Sequence, residues 1–422
     1  MNLHLIVRNL FFIILISVFY SGSYVSACTA FMMSDGDKVF VGNNEDYNIP
    51  YTRVWFIPSE NGDYGRVYFG YENWSPQGGM NDQGLFFDFF ATKTLKVEKS
   101  KDKPKFKGPM IDTMVATCAT VEDVINMFSQ YNLEFMSKFQ MFVVDKTGDA
   151  AVFEGDEIVR KSGQYQIVTN FYQSKVPENK RPCEWYRRSC QKYKIAESMI
   201  KEINTPTIAG FRDILDATHR ETTFATTLYS NIYDLKEGVV HLYYLHDFEN
   251  EVMFDLKEEL KKGRHYYILP NLFGKDQKYD HKTFKNKSPE FSVSYPKHFK
   301  VNEPKENEVL RVRCPHSSNP LFMVIVDDKP SNIDLDDIWE KHLSKEVQEF
   351  ASNIKLIYSK QTELQDGTSA REIRFDWFSN GHWLLKTIIL ATYNQDNLVM
   401  TAWTAFAHPE IFNEFLYSLK FY

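Results

Sequence analysis

Residues 28–47, CTAFMMSDGDKVFVGNNEDY, read as two apolar runs on either side of Asp35-Gly36-Asp37. An Asp-Gly pair between such runs is a hairpin signal, because its backbone tolerates the positive φ angles of a tight turn. The stretch therefore predicts one strand over CTAFMMS and a second over KVFVGNNEDY, folded back so that residues near 44–46 stand beside Cys28. Further apolar runs predict strands at TRVWFIP, GRVYFGYE, GLFFDFFAT, KFQMFVVD, AAVFEG, DEIVRKSG, YQIVTN, TTLYSNIYD and VVHLYYLHD. Helical periodicity marks 110–130, where Thr120 and Asp123 form a capping box, and also 184–204 and 207–218. Strands, then helices, then strands with hairpin-length turns predict an α+β fold of two antiparallel sheets packed with helices.

Upstream of this hairpin, Arg8 precedes the uncharged run Leu10 to Tyr20, which leads into the small, polar SGSYVSA. This is the layout of a secretory signal peptide over residues 1–27, and the apolar run is shorter than the roughly 20 residues that span a bilayer. The expected location is secreted or periplasmic, with cleavage after Val25-Ser26-Ala27 and Cys28 as the new N-terminus. Three readings of Cys28 stay open: a nucleophile, a lipidated anchor, or a small buried residue. Only the second implies a membrane partner.

The chain has 422 residues with 49 Lys and Arg against 56 Asp and Glu, a formal charge of −7. Such a chain is ill suited to sequence-independent nucleic-acid binding, which needs a cationic excess. Five cysteines are too few for a disulfide scaffold, and a helix running unbroken through Cys183 and Cys190 would hold them too far apart to bridge. There is no CxxC, HExxH, Walker loop or GxGxxG, so no metal and no cofactor are expected. Residues 275–289 are polar and lack an apolar stripe, which predicts a linker between a domain at 28–274 and a smaller α+β domain at 290–422. In the latter a helix is expected over 335–350 and another from about Pro409.

Amide hydrolysis by an N-terminal cysteine needs a thiol, a base such as the α-amine, a group orienting that amine, and a donor for the tetrahedral oxyanion. Cys28, Asp46 at the end of the returning strand, and Asn170 at the end of YQIVTN fit these roles. Taken singly, Asp46 and Asn170 also read as ordinary turn residues.

Cys28-Thr29 after a cleavable segment, Gly42-Asn43-Asn44-Glu45-Asp46, Gly79-Met80-Asn81-Asp82-Gln83-Gly84-Leu85, Val168-Thr169-Asn170 and Thr227-Leu228-Tyr229-Ser230 together resemble the choloylglycine hydrolase/penicillin V acylase family. Those N-terminal-nucleophile (Ntn) hydrolases are related to acid ceramidase-like amidases and isopenicillin N acyltransferases. The resemblance covers roughly half the chain. It implies a four-layer αββα sandwich, Cys28 as thiol nucleophile forming a thioester, Asp46 as the amine-orienting acid, Asn170 in the oxyanion hole, and a small-molecule linear N-acyl amide as substrate. An acyltransferase of the same fold and a lipid-anchored binding protein are the alternatives.

Asn43 stands where bile-salt hydrolases and penicillin V acylases carry Arg, and the second family Asn falls near Ala91 or Thr92. A late family Arg has its counterpart in Arg220, with His219 the alternative from the acyltransferase branch. Asn43, Asn44, Asp88, Ala91, His219 and Arg220 are accordingly the candidate substrate-binding residues. In Phe86-Phe87-Asp88-Phe89-Phe90, alternation puts Asp88 on the face of Phe86 and Phe90, and a buried carboxylate there needs a partner. The C-terminal part is weakly similar to PsbP-like domains through its FxVxYP opening.

Overall fold

The structure is a computed structural model that describes residues 28–422, except 49, 177–186, 223–224, 305–307, 315–320, 329–332, 351, 380–381, 395 and 406–411. The expected signal peptide, residues 1–27, lies outside the described residues.

The first two strands, β1 (Thr29–Ser34) and β2 (Val39–Tyr47), form the expected hairpin. Then come β3 (Thr52–Ile57), β4 (Arg66–Tyr71), β5 (Pro76–Asn81), β6 (Phe86–Ala91), helices α1 (Met110–Thr117) and α2 (Val121–Phe128), and strands β7 (Phe139–Val144), β8 (Ala150–Glu154), β9 (Glu157–Arg160) and β10 (Tyr165–Thr169). Helices α3 (Arg187–Ile200) and α4 (Ile208–Thr218) precede β11 (Glu221–Thr222), β12 (Ala225–Asp234), β13 (Val239–Tyr244), β14 (Asp247–Asp255) and β15 (His265–Ile268). One sheet has the order β10-β1-β2-β12-β13-β14, with β11 on β12; the other runs β15-β3-β4-β5-β6-β7-β8-β9.

The faces of these sheets are set by the period-two alternation of their side chains. Ala30, Met32 and Val41 of the first sheet pack against Val54, Phe69, Phe86 and Phe142 of the second. On the first sheet's other face, Phe31, Met33 and Ile232 meet Ala196, Phe211 and Ile214 of α3 and α4. Trp55, Phe87 and Met141 on the second sheet's outer face meet Met114 of α1 and Val124 of α2. The capping box at Thr120 and Asp123 is present.

Strands β5, β14 and β15 are not evident from sequence pattern. Strand β5, PQGGMN, has almost no β propensity and forms because β4 and β6 flank it. Its glycine is required: a Cβ on Gly79 would lie 2.1 Å from the Val67 carbonyl oxygen.

The polar segment 275–289, expected as a linker, contains β16 (His281–Lys287), which pairs with β17 (Glu290–Pro296). Around it the two halves meet through buried polar groups. The fully buried Arg53 donates to Gln277 Oε1 at 2.5 Å and to the Tyr279 hydroxyl at 2.7 Å. His298 Nε2 lies 2.6 Å from Glu72, and Tyr51 stacks on both Tyr279 and His298. A second sheet system follows, ordered β18 (Lys300–Val301), β19 (Glu308–Arg313), β20 (Leu321–Asp328), β24 (Asn397–Ala405), β23 (His382–Asn394), β22 (Ser369–Ser379) and β21 (Ser352–Glu363). The single helix expected over 335–350 is three pieces: a 3-10 turn at Leu335–Asp337, a π-helical turn at Trp339–Leu343 and an α-helix at Ser344–Phe350. The start expected near Pro409 lies outside the described residues, and a short helix spans Asn413–Leu416.

Gly79→Ala drives a methyl group into β4 backbone that cannot retreat. It is expected to lower unfolding free energy by roughly 1–3 kcal/mol, the usual cost of overpacking, seen as a lower urea midpoint at unchanged slope.

Candidate active site around Cys28

Strand β1 lies between β2 and β10, with Thr29 opposite Asn44 on one side and Thr169 on the other. One residue earlier, Cys28 therefore stands between the Glu45-Asp46 pair and Asn170. The Asp46 backbone N–H reaches the Cys28 sulfur at 3.4 Å, and the sulfur lies 3.8 Å from the Asp46 carbonyl. Cys28 is only 4% exposed. Burial pushes its thiol well above the ordinary range, and the charges of Glu45, Asp46 and Asp88 add to this. The sulfur is thus protonated at neutral pH and needs a base to become a nucleophile.

The Asp46 carboxylate is buried and fully bound. Lys192 of α3 reaches one oxygen at 2.6 Å, and the Thr227 hydroxyl donates to the other at 2.5 Å. Thr227 is itself held by the Arg220 main chain, whose N–H donates to its hydroxyl at 2.7 Å and whose carbonyl accepts its N–H at 2.8 Å. Asn170 Nδ2 donates to the Ala91 carbonyl at 2.9 Å, while its Oδ1 has no partner. A primary amide has a second N–H, so one donor of Asn170 is uncommitted by that bond.

Cys28, Glu45, Asp46, Tyr71 and Ala91 line a cavity of about 430 Å³, whose apolar wall is Phe89, Ile111, Phe135 and Phe139. Asn170 stands behind Ala91 and not on this wall. Asp88 finds the partner that its burial demands: Asn43 Nδ2 donates to its carboxylate, and burial raises its pKa well above the usual carboxylate range. Both lie between the sheets rather than on the cavity wall.

Three expectations are corrected. Asn44 turns to the opposite face, where its amide donates to the Leu215 carbonyl at 2.8 Å and to Thr218 at 3.1 Å and accepts from Ser230 at 2.6 Å. His219 and Arg220 do not reach the cavity; Arg220 acts on Asp46 through its backbone and Thr227. Cys190, expected unbridged, is disulfide-bonded, its partner outside the described residues. The helix that carries it is described only from Arg187, so the two-turn separation finds no support.

Sequence reading assigned no role to Glu45, Tyr71, Lys192 or Thr227. The signal for Glu45 was present: the hairpin register that sets Thr29 opposite Asn44 sets Cys28 opposite Glu45. Lys192 carried no local signal, because only the packing of α3 brings it to Asp46. Among the described residues, His219, Glu221 and His246 each place one ligand atom within 4.8 Å of the others. The two imidazoles stack at 4.5 Å and 18°, however, so their in-plane lone pairs do not converge on one ion.

Residues 32–248 match the model of the family described as acyl-coenzyme A:6-aminopenicillanic acid acyl-transferase. No curated protein matches the chain. Among solved structures, penicillin V acylase from Agrobacterium tumefaciens is similar with TM-score 0.44 and 16% identity, over 57% of this chain and 92% of that one. A mutant conjugated bile acid hydrolase from Clostridium perfringens gives TM-score 0.43 and 15% identity, over 57% and 96%. The cyanobacterial PsbP of Synechocystis sp. PCC 6803 gives TM-score 0.29 and 14% identity, over 35% and 95%.

Lys192→Met removes the cation that pairs with the buried Asp46 carboxylate. Breaking such a pair costs about 3–5 kcal/mol, a loss that urea denaturation at pH 7 should register.

Proposed function

Because the chain belongs to the acyl-coenzyme A:6-aminopenicillanic acid acyl-transferase family, we propose that it is a cysteine amidohydrolase that cleaves a linear N-acyl amide. The observation that carries this reading is the meeting of Cys28 with a rigidly held Asp46 on the wall of a cavity lined by Phe89, Ile111, Phe135 and Phe139. The sulfur attacks the amide carbonyl, the amine departs, and water hydrolyses the thioester. The aromatic wall suits an apolar acyl group, and Asn170, behind the wall at Ala91, is read as the oxyanion donor through its second N–H. In this reading cleavage after Ala27 in a secreted or periplasmic protein frees the Cys28 α-amine, which Asp46 orients. The layered packing of α3 and α4, the two sheets, and α1 and α2 is read as the αββα arrangement, and the part after 290 as an accessory domain.

A lipid on Cys28 fits poorly, since its thiol is buried between two sheets. Transfer of the acyl group to a second amine would use the same thioester, with amine replacing water as acceptor. Product analysis with added amine separates the two.

Two outcomes are expected. Intact-mass analysis of the mature protein should show a chain beginning at an unmodified Cys28, and any residue retained before it should abolish turnover. A diacylglycerol adduct on Cys28 would overturn the assignment. Asp46→Asn and Asn170→Ala should each fold and lower kcat by at least about 100-fold, as lost orienting or oxyanion groups do. A folded Asn170→Ala variant with near-normal turnover would remove Asn170 from the mechanism.

A further inference from the structure

We propose that Glu45 is a further catalytic residue, the carboxylate that takes the proton of the Cys28 thiol and returns it to the departing amine nitrogen. The chemical step rests on the amidase reading above, while the placement of Glu45 stands on geometry alone.

The β1–β2 register sets Glu45 opposite Cys28, and both face the same cavity. The Cys28 thiol is near enough to the Glu45 carboxyl to favour its ionised form. The Tyr71 hydroxyl donates to Glu45 Oε1 at 2.5 Å and fixes the group's rotation, while Oε2 is buried with no partner. Asp46 cannot do this work in the same way, because Lys192 and Thr227 occupy its two oxygens.

The surroundings of Glu45 set when it can act. From β1 it faces Cys28; from β2, Asp46 and Tyr47; from β4, Tyr71; from β6, Asp88; and from β12, Tyr229 and Tyr233, with Lys192 of α3 beyond Asp46. Burial raises the Glu45 carboxyl to about 8, with the Asp46 charge adding and the Tyr71 hydrogen bond opposing. A base with a pKa near the working pH combines an adequate ionised fraction with adequate basicity.

Protons and electrons balance through the cycle. As the sulfur–carbon bond forms, the thiol proton moves to Glu45 and the carbonyl electron pair moves onto oxygen. Collapse of the tetrahedral species breaks the carbon–nitrogen bond as Glu45 protonates the amine, leaving the thioester. Water then attacks, giving its proton to Glu45, which passes it to the departing sulfur.

The test is the pH dependence of Cys28 alkylation by iodoacetamide in the mature full-length protein, resolved by peptide mass spectrometry from the buried thiols of Cys118 and Cys314. In the unaltered protein the rate should rise with an inflection near 8. Glu45→Gln, which keeps an acceptor for Tyr71, should abolish that inflection and slow alkylation at pH 8 by at least about tenfold, with kcat for a test amide falling by about 100-fold or more. Tyr71→Phe removes a bond that favours the ionised carboxylate, so it should move the inflection upward; an unmoved inflection would count against Glu45. Faster alkylation in Glu45→Gln would mean that the carboxylate only repels the thiolate, and an inflection retained there would assign the base to the α-amine alone. Either result overturns the proposal. Glu45-dependent alkylation in a protein that turns over no amide would instead sink the amidase reading and leave the thiol–carboxyl pair standing.

Discussion

The pairing of Thr29 with Asn44 decides what stands on each side of the Cys28 sulfur. In a β-strand a one-residue slip exchanges the two faces entirely. In the observed register Asn43 and Glu45 turn inward between the sheets, and Asn44 turns outward to helix α4. A slip would bury Asn44 in the core, where Leu215 and Thr218 could not satisfy it, and would take the Glu45 carboxyl away from the thiol. The register is held by the buried apolar run on both strands, Ala30, Met32, Val39 and Val41, none of which is exposed. The same hydrophobic pattern that makes the sandwich thus aims the chemistry.

The electrostatics at this end of the hairpin are lopsided. Glu45, Asp46 and Asp88 are at most 4% exposed, and Lys192 is bound to Asp46. Three carboxylates cannot all remain ionised there, and they separate by environment. Asp46 takes the lysine and the threonine hydroxyl. Asp88 takes the Asn43 amide, and burial raises its pKa. Glu45 takes a tyrosine hydroxyl and shares the cavity with the thiol. At Asp88 the partner is the neutral amide of Asn43 rather than a cation. The result is a set of groups able to hold protons near neutral pH rather than a set of fixed charges.

Much of this was legible in the residues. The Asp-Gly turn predicted the hairpin, and the hairpin brought Asp46 to Cys28. YQIVTN predicted a strand whose end carries Asn170, and the pairing of β1 with β10 places it there. What escaped depended on contacts between segments distant in sequence. Lys192 reaches Asp46 across 146 positions, and neither its neighbours nor its period marks it. Strand β5 has the composition of a loop and is a strand because its neighbours are. The polar run at 275–289 lacks an apolar stripe, yet Tyr279 stacks on Tyr51 and holds Arg53. In that run single long-range aromatic and guanidinium contacts do the work usually done by a hydrophobic face. Asn44 misled because an asparagine in a motif reads the same whether it serves substrate or helix.

The seam at Glu72 has a bearing on how such a chain can change over generations. Glu72 sits between Tyr71 and Asn73, both on the cavity wall, and its fully buried carboxylate is met by His298, with the Cys314 sulfur 3.9 Å away. A C-terminal segment acquired from elsewhere would have to bring a donor to that point or leave an acid stranded beneath the cavity wall. Recombination at the apparent boundary therefore carries a penalty that drift within either half does not. Substitutions at positions 72 and 298 should therefore be inherited as a pair.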